Sequence, residues 1–178
     1  MTDRELAQQC TNGSRSAQEM LWKRYSGSMY AVCRRYFDRD DDANDALQEG
    51  FIRVYSYLDQ WNENGPLGAW IRRVIVNNAL NMVKAKARRG MERPMEHTAF
   101  IANWDGGAIM NLNAEDLIKL IQRMPAGYRT VFNLFAVEGY SHQEIAEMLE
   151  ITENTSKTQY HKAKAWLRTR IEVGKNNG

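Results

Sequence analysis

The chain has 178 residues, 43% of them hydrophobic, and balances 24 Lys or Arg against 22 Asp or Glu for a formal net charge of +2. That composition supports packed cores and excludes a disordered chain, and the length suits one large domain or two small ones. No apolar run approaches the roughly 18 residues of a membrane span, so membrane insertion is not expected.

The opening MTDRELAQQC is polar and lacks the apolar middle of a secretion signal, so a cytoplasmic protein is expected. Strand-like alternation is absent and helical spacing dominates, which predicts an all-α fold. A first helix is expected over Asp3 to Cys10, closed near Asn12-Gly13. Ser16-Ala-Gln-Glu19 has capping-box spacing, and a second helix follows to about Tyr36 with Ala17, Leu21, Tyr25, Met29, Val32 and Tyr36 inward. DRDDDAND then places acids at a helix start, where the positive dipole end favours them. That third helix is expected from about Ala43 to Leu58, with Leu47, Phe51, Val54 and Leu58 on its buried face. WNENGPLG breaks it, and a fourth helix runs from about Leu67 to Arg89. Residues 90 to 113 lose the periodicity and read as a flexible linker, with Phe100, Ile101, Trp104 and Ile109 as apolar positions within it. Four more helices are expected beyond it, at about Glu115 to Arg123, Gly127 to Glu138, Ser141 to Glu150 and Asn154 to Glu172. The division is therefore a domain over 1–90, a linker over 91–113 and a second domain over 114–178.

The last two helices carry the first functional signal. Ser141-His-Gln-Glu144 is a capping box, and Gly139 suits the end of the helix before it. The short break Glu150-Ile-Thr152 lets the next helix cross steeply, with Thr152 as its cap and Ile151 in the corner. Such a helix-turn-helix places its second helix where it can enter a major groove. From Thr155 to Arg170 that helix has five Lys or Arg and no acid. Lys157 and Lys164 suit phosphates, and Ser156 and Gln159 suit base edges. Thr155 and Tyr160 complete the candidate set, although Tyr160 also has inward spacing with Ala163 and Trp166.

The fourth helix carries the second signal. Residues 67 to 91 contain six Lys or Arg and no acid. Arg73, Asn77, Asn81, Lys84 and Arg88 step by three or four, which puts them on one stripe. Ile71, Val74, Ile75, Ala79 and Met82 form the opposite, apolar stripe. Asn78 reads as a buried, hydrogen-bonded amide. The turn before this helix offers Asn62 and Asn64 between Trp61 and Trp70, and such a turn can hold an unstacked base. The third helix differs, because Asp38 to Glu49 has six acids and one Arg. An acidic face cannot meet phosphate, so its exposed Gln48, Glu49 and Arg53 are either solvated or dock on a protein.

These blocks have a family likeness. DANDALQEGFIRVYSYL with GAWIRRVIVNNALNMVKAKARR resembles the second region of bacterial RNA polymerase sigma factors, and MPAGYRTVFNLFAVEGYSHQEIAEMLEITENTSKTQYHKAKAWLR resembles the fourth. Lacking other regions, the chain resembles the small extracytoplasmic-function (ECF) class. The resemblance implies a transcription initiation factor that binds core RNA polymerase and helps open promoter DNA. It implies that Asp45, Gln48, Glu49 and Arg53 dock on the polymerase. It implies that the Asn62 to Gly68 loop receives a flipped base, and that the Arg73, Asn77, Asn81 and Lys84 stripe contacts the minus-ten element. Thr155 to Lys164 would read the minus-thirty-five element. An anti-sigma factor that hides both basic faces is a further expected partner. Asn154 departs from the glycine of many members, and asparagine tolerates the geometry required there.

A dimeric helix-turn-helix regulator is the alternative, but no heptad seam supports one. No phosphate-binding glycine loop, HExxH motif or nucleophile–base pattern points to an enzyme, and no cofactor is expected. Cys10 and Cys33 lack zinc spacing, and the three histidines are scattered, so no metal site is expected.

Overall fold

The computed structural model describes residues 1–90 and 112–176, with side chains described to residue 172. All regular elements among the described residues are helical. The chain forms two compact units, Met1–Val83 and Lys84–Gly178. The linker expectation, with Phe100, Ile101, Trp104 and Ile109, lies almost wholly outside the described residues.

In the first unit, α1 (Asp3–Thr11) starts on a complete capping box formed by Thr2 and Glu5. Gly13, at φ +82°, turns the chain into α2 (Arg15–Arg34). The cap of α2 is Ser14, whose hydroxyl accepts from the Ala17 amide at 3.3 Å, and not Ser16 as its spacing to Glu19 suggests. Residue Tyr36 lies just past the end of α2 but is buried as expected. α3 (Asp40–Tyr57) begins three residues earlier than its apolar stripe, because Asp40, Asp41 and Asp42 form its first turn. A 3-10 turn, Leu58–Gln60, completes it. α4 spans Leu67–Arg88.

The packing follows the apolar stripes. Ala17, Leu21, Met29 and Val32 of α2 are buried, as are Leu47, Phe51 and Val54 of α3 with Leu58 beyond. Trp22 meets Phe51 edge-on at 4.7 Å. At Gly50 of α3 the α4 helix approaches closely: a Cβ there would lie 2.5 Å from Ile75 Cδ1. Ile71 and Ile75 are fully buried, and each such side chain contributes about 1.5–3 kcal/mol. Val83 is the last buried residue of α4, so the helix outruns its own core by a turn. Cys10 and Cys33 are free and buried, and burial pushes the Cys33 thiol up to about 12. Both are inert packing groups.

The second unit comprises α5 (Ala114–Arg123), α6 (Ala126–Phe132), α7 (His142–Leu149) and α8 (Glu153–Asn176). Asn113 caps α5 by accepting from the Asp116 amide at 2.8 Å. The single helix expected over 127 to 138 is divided, because α6 loosens at Asn133 into a π turn, Asn133–Val137. Ile121, Met124, Tyr128, Phe132, Ala163 and Leu167 make the core. Arg129 is also buried, at 2% exposure, and Nη1 donates to the Gln122 and Met124 carbonyls at 3.0 and 3.2 Å. It thereby caps the end of α5 with a cation, the sign the helix dipole favours there.

Candidate nucleic-acid interface

α7 and α8 form the helix-turn-helix. The Ser141–Glu144 capping box is complete, with bonds of 3.1 and 2.7 Å. Ile145 is fully buried, while Met148 and Leu149 are half-buried. Glu150 takes the left-handed conformation at φ 57°, ψ 43°, and the Ile151 amide returns to the Ala146 carbonyl. Thr152 then caps α8, its hydroxyl accepting from the Thr155 amide at 3.1 Å. A three-residue turn thus joins one helix to the next, as the motif requires.

The outer face of α8 is narrower than its charge pattern suggests. Thr155 and Lys157 are exposed, and Lys157 pairs with Glu153 at 3.2 Å. An exposed pair of this kind is worth little and yields readily to a phosphate. Gln159 and Lys164 are half-buried, and the Lys164 ammonium sits 4.8 Å from the centre of the Tyr160 ring. Two candidates point the other way. Ser156 is fully buried and bonded to His142 Nδ1 at 2.8 Å, so it is not on the open face. Tyr160 packs against the core, its ring stacked on Phe132 and tilted against Phe135 at 4.5 Å. It is a support for the face and not part of it, and burial raises its phenol pKa. α8 packs on both α6 and α7, so its buried sector is wide enough to include a serine.

α4 presents its stripe as expected. Arg73, Asn77, Asn81 and Arg88 are exposed, and Lys84 is half-buried. Asn78 turns inward, 1% exposed, and donates to the Ala46 carbonyl at 3.1 Å. Ahead of it, the 61–66 turn is held by its own polar groups. The Asn62 side-chain oxygen accepts from the Asn64 amide, and the Trp61 indole donates to the Gly65 carbonyl at 3.1 Å. Glu63 sits at φ 62° and pairs with Arg4. Asn62 and Asn64 are exposed, whereas Trp61 and Trp70 are half-buried.

On α3, Asp45, Gln48, Glu49 and Arg53 are all exposed, and Glu49 pairs with Arg53 at 3.3 Å. Among them stands Ile52, 65% exposed, which sequence reasoning missed. It sits four residues after Gln48 and three after Glu49, so the three are neighbours on the helix surface. Its signal was an apolar residue off the stripe of Phe51, Val54 and Leu58. His142 was missed as well, since an isolated histidine after a capping serine has no pattern to mark it.

The described residues bring together no group of three or more His, Cys, Asp or Glu that could hold a metal, and none of their helices is long and apolar enough to cross a membrane.

The comparisons decide the family. Residues 21–89 match the model for sigma-70 region 2, and residues 114–167 match the model for sigma-70 region 4, together about two thirds of the chain. The chain belongs to the sigma-70 family. Its similarity to the ECF RNA polymerase sigma-E factors runs end to end and sets it in the ECF class. The Haemophilus influenzae protein is 24% identical over 97% of this chain and 96% of its own, and the Escherichia coli protein 25% identical over 97% and 95%. Two solved structures share the fold of this sigma factor. CnrH, in complex with the cytosolic domain of CnrY, aligns with a TM-score of 0.51 at 21% identity, over 96% of this chain and 97% of that one. RpoE of Bartonella quintana, in complex with the anti-sigma factor NepR, aligns with a TM-score of 0.53 at 17% identity, over 87% and 96%.

Proposed function

We propose that this chain is a transcription initiation factor that binds core RNA polymerase and directs it to promoters, docking through α3 and touching DNA through α4 and α8. The carrying observation is that regions 2 and 4 occur in one chain, each with a basic helix face clear of its core. As a sigma factor it performs no chemistry of its own and acts in the cytoplasm with the polymerase.

Residues 1–90 serve as the polymerase- and minus-ten-binding domain. Asp45, Gln48, Glu49 and Arg53 form a polar rim around Ile52, the arrangement of an interface anchor. The 62–68 turn receives an unstacked base. Arg73, Asn77, Asn81, Lys84 and Arg88 follow the opened strand and its phosphates. Residues 114–178 read the minus-thirty-five element, with Lys157 and Lys164 on phosphates and Thr155 and Gln159 toward base edges. The 91–113 segment tethers the two. Two DNA contacts made by one chain act together only when their spacing matches the promoter, and polymerase supplies that spacing. The two solved relatives were each captured with a protein partner, one of them an anti-sigma factor, which supports an anti-sigma partner here too.

Run-off transcription with bacterial core enzyme, with and without the chain, tests this. Specific product is expected only with it. The double change Gln48→Ala with Glu49→Ala, or Ile52→Glu alone, should lower product at least roughly tenfold, as loss of an interface anchor does. No product from any template, and no association with core enzyme, would refute the assignment.

A further inference from the structure

His142 is the first residue of α7, and Ser156 is the fourth residue of α8. Between them runs the 2.8 Å bond from Nδ1 to Oγ. The imidazole also stacks on Phe135, 4.2 Å away and 11° from parallel, and lies 5.8 Å from the Tyr160 ring. The π turn, α7 and α8 therefore converge on one ring.

The place of this contact matters. The Glu150-Ile151-Thr152 turn joins α8 to the far end of α7, about 10 Å along the helix from His142. Ala163 and Leu167 anchor the later turns of α8 in the core, which leaves its first turns held by the 150–152 turn and by this contact. The His142–Ser156 bond is off the helix axis and directional, so it constrains the rotation of those first turns as apolar packing alone does not. On α8 the bond holds a buried residue flanked by exposed Thr155 and Lys157. Successive residues are about 100° apart around a helix, so holding Ser156 inward sets where its neighbours face.

We infer that His142 is the positioning residue of the recognition helix: through Ser156 it sets the rotation of α8, and hence how Thr155 and Gln159 meet the base edges. This rests on the reading that α8 enters promoter DNA. Phosphate contact tolerates small rotations, because long Lys side chains adapt. Base-edge contact does not, because its hydrogen bonds are directional. Removing the bond therefore blurs sequence choice more than it weakens affinity.

The test uses the full chain bound to bacterial core polymerase and a duplex library randomised over the upstream promoter element. The native chain first defines a selected sequence, and discrimination is its affinity relative to a scrambled duplex. His142→Phe keeps the aromatic stack and loses the bond. Ser156→Ala loses the hydroxyl without adding volume. Each should reduce discrimination roughly three- to tenfold, the worth of one hydrogen bond, with scrambled-duplex affinity nearly unchanged. The double variant should be no worse than either single, and Ser156→Thr, which keeps a hydroxyl, should recover part of the loss. Unchanged discrimination in both single variants overturns the inference. So does an equal loss on selected and scrambled duplexes, or additive losses in the double variant. A native chain that selects no sequence with polymerase overturns the sigma reading itself, and this inference with it.

Discussion

Among the described residues the first unit buries one polar side chain, Asn78, whereas the second buries four: Arg129, Thr130, Asn133 and Ser156. The first is sealed by Leu, Ile, Val and Phe from α2, α3 and α4, and apolar burial is non-directional. It fills space but leaves angles to shape alone. The second, among its described residues, buries fewer apolar side chains and adds directed bonds where elements meet. Arg129 closes the end of α5, and Ser156 joins α8 to α7. The contrast suits the two tasks proposed above, in which α4 offers a long stripe to a flexible strand and α8 enters a rigid duplex at a set angle.

The largest test of that contrast is Arg129→Ala. It removes two charge-assisted bonds and leaves the Gln122 and Met124 carbonyls without this donor. The second unit should lose about 2–4 kcal/mol, and the first nothing, as read by amide exchange during urea unfolding. Equal loss in both units would remove the distinction. Asn78→Ala is the matching change in the first unit. Its bond to the Ala46 carbonyl at 3.1 Å, with a weak second one to the Met82 sulfur at 3.7 Å, predicts a cost of about 1 kcal/mol, read in the same way. A cost above that of Arg129→Ala would reverse the comparison. Glu150→Gly goes in the opposite direction. Glu150 is left-handed at φ 57°, where a side chain costs about 1–2 kcal/mol, so glycine should stabilise the second unit by up to about 1 kcal/mol after its own entropy cost. A lower melting point would mean that the Glu150 side chain makes a contact worth more than the strain.

The same contrast explains what could be read in the sequence. In the first unit inward positions other than Asn78 are apolar, so steps of three and four gave the α2 and α3 faces and the exposed Arg73, Asn77, Asn81 and Arg88 of α4, although on its apolar side Val74 and Met82 are half-buried while Val76, Leu80 and Val83 are buried. In the second unit a polar residue at an inward position breaks the inference. Ser156, Ala163, Leu167 and Ile171 are the buried positions of α8, spaced by seven, four and four. Serine has no apolar signature, so charge on its neighbours put it on the open face. Tyr160 met both criteria, and packing decided it. The π turn at Asn133–Val137 left no mark either, since one wide turn barely shifts a short stripe. Capping was the most legible local feature. It gave Ser141 and Thr152 correctly, chose Ser16 where Ser14 is the cap, two hydroxyls that both fit the pattern, and left the Thr2 and Asn113 caps unread.

The smallest test uses protons. The three histidines are His97, His142 and His161, so residues 1–83 contain none. Burial first, and the Lys157 charge second, hold His142 below its ordinary value of 6.5. The folded unit therefore takes up this proton at a lower pH than the unfolded chain does. As pH falls through 6.5 toward the lowered folded value, the unfolded state binds more protons and the second unit loses stability. The first unit has its own shifted acid in Glu5, lowered from 4.5 by hydrogen bonds to the backbone and side chain of Thr2. That contribution is present above 4.5 and is lost only below it, outside the range in question. Acidification from about pH 7.5 to about 5.5 should thus reduce amide protection in the second unit and leave the first unchanged, because the half-buried His142 imidazole belongs to the second and residues 1–83 have no histidine. His142→Phe should flatten most of the slope. A slope that persists in that variant would assign the sensitivity to another group, and a slope shared by both units would show that their stabilities are coupled.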